Sequence, residues 1–199
     1  MEKINRRAGI FKNVETIVIM ALFVALSIVF GKLLAINVTN NFRISLENTP
    51  ILLAAVAYGP LAGAVVGGLS DLIGCLLVGY SINPIITAGA VAIGILAGFL
   101  GKFLLRGGGS GMRLYLRCLL TVSAGHLIGS VVIKTLGLYY YYGSPLLFTF
   151  SVRLGIYAVT AVIESVILYI LYTQKIIAKF RPRRTAARRQ QEEDDQHEL

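Results

Sequence analysis

Apolar residues in this chain run together instead of alternating with polar ones. One run covers residues 14–34. A polar connection at 37–43 leads to a shorter run at 46–58, and four more follow at 61–78, 85–105, 114–136 and 145–171. Apolar stretches of about twenty residues are long enough to cross a bilayer core as helices. The punctuation between them agrees with helix ends. Tyr58-Gly59-Pro60 is a tight-turn signal, and Ser144-Pro145 reads as an N-cap followed by proline at the first helical position. The run at 46–58 has an apolar core of only about a dozen residues and, taken alone, fits a re-entrant segment as well as a span. The first run is long for a signal-peptide core and no cleavage site follows it, so it reads as a membrane anchor.

Charge placement decides the count. If all six runs cross, fifteen of the nineteen Lys and Arg residues fall on one side, in the head, the 102–117 connection and the tail. The positive-inside bias makes that side cytoplasmic, with both termini on it. Composition agrees: 56% of residues are hydrophobic, 15% are charged and mean hydropathy is +0.73, against about a quarter charged in soluble domains. A soluble enzyme and a disordered chain are both excluded. The net charge of +9 does not indicate nucleic acid, because the basic residues sit at the ends of apolar runs. The expected class is an all-α, multi-pass protein of a bacterial-type cell membrane. It divides into a basic cytoplasmic segment at 1–13, a six-helix transmembrane domain at 14–177, and a disordered cytoplasmic tail at 178–199 whose basic half lies on the lipid bilayer. Cys75 and Cys118 lie within apolar runs and read as buried thiols.

Four basic residues remain for the outer half: Lys32, Arg43, Lys134 and Arg153. A charge at the bilayer centre costs on the order of 2.5–3.5 kcal/mol, so such residues mark function. Arg153 lies about 12 Å below the start of the last helix, and Asp71 about 16 Å along the third, at 1.5 Å per residue. Arg153, Tyr157, Thr160 and Glu164 share one helical face, as do Ser123, His126, Ser130 and Lys134. Two polar stripes inside an apolar bundle predict an outward-facing, water-accessible pocket; an internal Asp71–Arg153 ion pair is the alternative. Glu164 is expected too near the cytoplasmic end to reach that pocket. Residues 139–142, four consecutive tyrosines, fit an interfacial belt or a stacking wall for a flat ring. Asn83 lies in a short outer loop at 79–84 that can close over the same mouth.

Small residues spaced by four occur at Ala21/Ala25, Gly63/Gly67 and Gly94/Gly98, a spacing that lets membrane helices approach closely. The glycine-rich 107–111 stretch lacks the Gly-Lys-Ser/Thr of a Walker A loop. Hydrolase signatures and metal-ligand clusters are missing from the sequence, so neither catalysis nor a cofactor is expected.

Six helices in about 200 residues, Ala21-xxx-Ala25, and the block RISLENTPILLAAVAYGPLAGAVVGGLSDLIG at 43–74 together resemble the substrate-binding S components of energy-coupling-factor (ECF) vitamin transporters. Arg43-Ile44-Ser45, Tyr58-Gly59-Pro60 and Asp71-Leu72-Ile73-Gly74 look most like the folate-type members. The resemblance spans residues 15–175 and implies a non-enzymatic subunit. Such a subunit captures a vitamin at the outer face under loops one and three, then topples against a transmembrane coupling subunit driven by two ABC-type ATPases. It implies that Ala21 and Ala25 face the coupling subunit. For a folate, Asp71 would meet the amidine-like edge of the pterin, and Arg43, Lys134 and Arg153 the tail carboxylates. Asn83 and Tyr157 complete the expected site. Thiamin or riboflavin as cargo, or a structural membrane subunit without cargo, are the alternatives; a cationic ligand such as thiamin suits these cations poorly.

Overall fold

The computed structural model of the chain describes residues 14–37, 43–105 and 111–177. The basic head, the tail and the side chain of Arg43 lie outside the described residues. Six helices follow in order: α1 Val14–Leu33, α2 Asn48–Tyr58, α3 Pro60–Val78, α4 Pro84–Leu104, α5 Met112–Tyr142 and α6 Leu146–Thr173. Five are long and apolar enough to cross a membrane; α2, with eleven residues, is shorter. At 1.5 Å per residue it spans about 16 Å, so the second run contributes a half-length helix. The chain reaches it through two strands of two residues each, β1 Ile36–Asn37 and β2 Arg43–Ile44, paired antiparallel with Asn37 opposite Arg43.

Lys32 late in α1, Glu47 just before α2, Cys75 late in α3, Asn83 just before α4, Tyr142 ending α5 and Thr149 early in α6 all line one cavity. Successive helices are therefore antiparallel, the short second one included in the alternation. The reversal between α2 and α3 takes a single residue, Gly59, at φ 101°, a conformation that a Cβ would strain. Pro60 then starts α3 where its missing N–H is no loss.

Apolar surface gives helices no reason to associate in lipid, so close packing decides. The two glycine pairs lie along one contact, with Gly63 against Gly94, Gly67 against Ala90 and Gly98 against Pro60. A Cβ on Gly94 would lie 2.1 Å from the Gly63 carbonyl oxygen, and one on Gly67 2.5 Å from that of Ala90. The α3 and α4 backbones thus touch, as helix packing within the chain requires. A second close contact joins α4 to α5, with Gly89 and Gly129 each against the other's carbonyl. All of α2 is buried among these helices. Below the cavity the bundle is solid, with Leu52, Val66, Ile93, Leu114, Val122 and Leu168 almost wholly enclosed. Cys75 and Cys118 are buried and in no disulfide. Ala21 and Ala25, by contrast, are exposed on the outer surface of α1.

Candidate functional site

The cavity has a volume of about 630 Å³, within the range of small-molecule sites. Two widened helical turns border it. Val29–Leu33 ends α1 in π geometry and carries Lys32; His126–Ile133 does the same within α5, directly before Lys134. Such turns often occur at functional sites. In α5 they keep residues spaced by four in one line, so His126, Ser130 and Lys134 all face inward and are buried.

Five predicted residues, Asp71, Asn83, Lys134, Arg153 and Tyr157, lie on the wall of this cavity. Their surroundings give them different work. Arg153 donates from Nε to the Ser130 carbonyl at 3.0 Å and from Nη2 to the Tyr157 hydroxyl at 3.3 Å. Its guanidinium sits 5.2 Å from the Tyr157 ring centroid. No described carboxylate lies within ion-pair distance of it. The Asp71–Arg153 pair considered from sequence does not form; Asp71 instead accepts from the Thr87 hydroxyl at 2.6 Å. Lys134, 5% exposed, points its ammonium at Glu47 Oε1, 3.3 Å away. Asn83 is committed to structure. Its side-chain oxygen caps α4 by accepting from Ile85 N at 3.0 Å and Ile86 N at 3.3 Å, while Nδ2 donates to the Gly137 carbonyl at 3.1 Å. It holds the α3–α4 loop against α5 and forms wall. Arg43 contributes to the described structure only through the backbone of β2.

At the rim, Lys32 lies 5.3 Å from the centroid of the half-exposed Tyr80 ring, a cation–π distance. Of the four consecutive tyrosines only Tyr142 lines the cavity; Tyr139, Tyr140 and Tyr141 are exposed, as an interfacial belt requires.

Beneath the cavity lies a buried polar layer. Tyr157 stacks on His126 with centroids 5.1 Å apart and planes at 28°. His126 Nε2 is 2.5 Å from Glu164 Oε2, and its Nδ1 is 3.3 Å from the Ser130 hydroxyl. Glu164 Oε1 accepts from the Thr49 hydroxyl at 3.2 Å. The acid that sequence reasoning passed over is Glu47, which faces Lys134. Both carboxylates gather at the start of α2, where unpaired backbone N–H groups favour negative charge. The available signal was Glu47 standing one residue ahead of an apolar helical run.

This arrangement suits recognition. It has cations with defined orientation, two carboxylates, and aromatic faces from Tyr80, Tyr142 and Tyr157. Among the described residues no group of three or more His, Cys, Asp or Glu side chains converges as a metal site would.

Comparison with known proteins is consistent with that geometry. Residues 11–179 match the family model of the ECF-type riboflavin transporter, S component. No curated protein matches the chain by sequence. Among solved structures, a crystal structure of FolT bound with folic acid matches over 82% of this chain and 95% of that chain, with a TM-score of 0.64 and 21% identity, a likeness of fold.

Proposed function

Because the chain belongs to the ECF-type transporter S components, multi-pass membrane subunits that bind substrate and catalyse nothing, we propose that it captures a folate and delivers it to a shared transport module. The observation that carries the choice of cargo is Arg153. Its guanidinium is oriented by Ser130 and Tyr157 in the cavity wall and has no carboxylate partner among the described residues. A partly buried cation within a membrane bundle calls for an anion, and the glutamate tail of a folate brings two carboxylates. The pterin then takes the side of Asp71 and Lys134, between tyrosine faces at Tyr157, Tyr142 and Tyr80, with Arg43 a further cation for the tail.

Exposure of Ala21 and Ala25 on α1 leaves a flat strip for a transmembrane coupling subunit, whose two ABC-type ATPases supply the energy. The basic 102–117 connection and both termini are assigned to the cytoplasm by the positive-inside bias, so the cavity opens outward from a bacterial-type plasma membrane. Riboflavin is the second reading, favoured by the description of the matching family; it lacks the carboxylates that Arg153 invites.

The test is to purify the full chain and identify retained small molecules by mass spectrometry, then to titrate folic acid and riboflavin. Recovery of a folate, with tighter binding of folic acid, is the expected result. Recovery of riboflavin transfers the cargo to the second reading, and binding of neither overturns both.

A further inference from the structure

Asn48, the first residue of α2, is 1% exposed, and neither its amide nitrogen nor its amide oxygen has a hydrogen-bond partner among the described residues. A buried amide left unpaired is strongly unfavourable, since it gave up water for nothing. Asn83, nearly as buried, has every polar atom of its side chain engaged, so the contrast is local. Asn48 borders a small void of about 20 Å³, walled also by Ser27, Ile51, Ser70 and Ala90. The two serine hydroxyls donate to backbone, Ser27 to the Glu47 carbonyl and Ser70 to that of Val66, each at 2.6 Å. Lys32, Glu47, Asp71 and Lys134 line both this void and the large cavity, so the void is an annex of its floor.

A space of that size admits one water-sized group and no ring. From this we infer that the Asn48 annex is a subsite for a single polar substituent of the bound molecule, an exocyclic oxygen or amino group on a flat heterocycle. The inference rests on the proposed function above. An amide offers a donor and an acceptor side by side, the complement of a ring edge that carries N–H next to C=O. Folate and flavin rings both present such an edge, so Asn48 recognises the ring while Arg153 reads the tail. Position supports the assignment: Asn48 begins a helix whose N-terminus points into the polar layer, so the substituent enters beside backbone N–H groups.

The experiment compares the full-length wild type with Asn48→Leu and Asn48→Asp in nanodiscs, using equilibrium dialysis with folic acid and with riboflavin. The thermal midpoint of the unliganded protein is measured alongside. Asn48→Leu keeps the heavy-atom branching, removes both unpaired atoms and fills the annex with methyl groups. It is expected to weaken the ligand that wild type prefers at least tenfold, with the midpoint unchanged or raised. Asn48→Asp, which keeps shape and loses the donor, is expected to weaken it at least fivefold, and carries the test if the leucine variant does not fold. Affinity within twofold of wild type in the folded variants overturns the inference and leaves only a trapped structural water in the annex. A wild type that binds neither compound instead removes the functional reading itself.

Discussion

Replacing Arg153 isolates the tail-binding half of the proposed site. A guanidinium has five N–H donors. Two are used within the protein, toward the Ser130 carbonyl and the Tyr157 hydroxyl, so three remain to meet a carboxylate. Hydrogen bonds to charged groups contribute about 1.5–3 kcal/mol each. The cavity is open to water at its mouth, so the pair is discounted to about 2–3 kcal/mol in total, or roughly 30- to 150-fold in affinity. Arg153→Ala should lose that much for folic acid. Arg153→Lys should recover only part, because an ammonium keeps the charge but not the planar fork. The assay is isothermal titration in nanodiscs with folic acid and with 6-hydroxymethylpterin, which has the ring without the tail. Tail-free pterin should bind wild type and Arg153→Ala alike. A tail contact at Arg153 is refuted if folic acid affinity changes less than threefold in folded protein, or if the pterin falls as far as folic acid does.

Three further outcomes follow from packing and charge. Removing one member of the buried His126–Glu164 pair, as in Glu164→Gln, should destabilise by about 3–5 kcal/mol, with the His126→Gln/Glu164→Gln double variant less destabilised than the sum of the singles; additive thermal-melt losses would count against the pair. Gly94→Ala, whose new methyl would overlap the Gly63 carbonyl, should sharply lower the yield of folded protein, whereas Gly155→Ala, with no neighbour within 4 Å, should leave yield and melting unchanged. Equal behaviour of the two would refute the α3–α4 contact. Trp at both Ala21 and Ala25 should leave folic acid affinity within twofold of wild type but abolish uptake in cells carrying the coupling module; uptake at the wild-type rate would remove this strip from docking.

The membrane spans were legible because a twenty-residue apolar run has one physical meaning in a soluble-protein background. Glycine pairs were legible as contacts, though only the fold reveals that Gly63 and Gly94 face each other. The wall positions of Arg153, Tyr157, Asp71 and Lys134 followed from a simple cost: charge and polarity deep in a bilayer need a reason. What escaped depends on α2. Counting along α6 kept Glu164 off the cavity wall, where the structure also leaves it, but gave no sign that α2 is so short that its N-terminus sits deep in the bundle. There Thr49 meets Glu164 and Glu47 meets Lys134. A helix end buried at mid-depth has no signature in composition, and neither do the π turns before Lys134 and around Lys32. Asn83 was legible as a loop residue near the site, but its capping role takes up its polar atoms.

The asymmetry between a hollow end and a filled end bears on how membrane voltage acts on the cargo. The open cavity extends to Tyr157, about 18 Å along α6 from Pro145 at helical rise, so the electrical drop concentrates across the remaining solid layer. An elementary charge crossing the full drop exchanges about 2.3 kcal/mol per 100 mV, yet an anion settling in the hollow crosses little of it. Capture of an anion by this protein in proteoliposomes should therefore be nearly indifferent to an imposed potential, and a steep dependence of affinity on potential would show that the bound charge lies beyond the hollow.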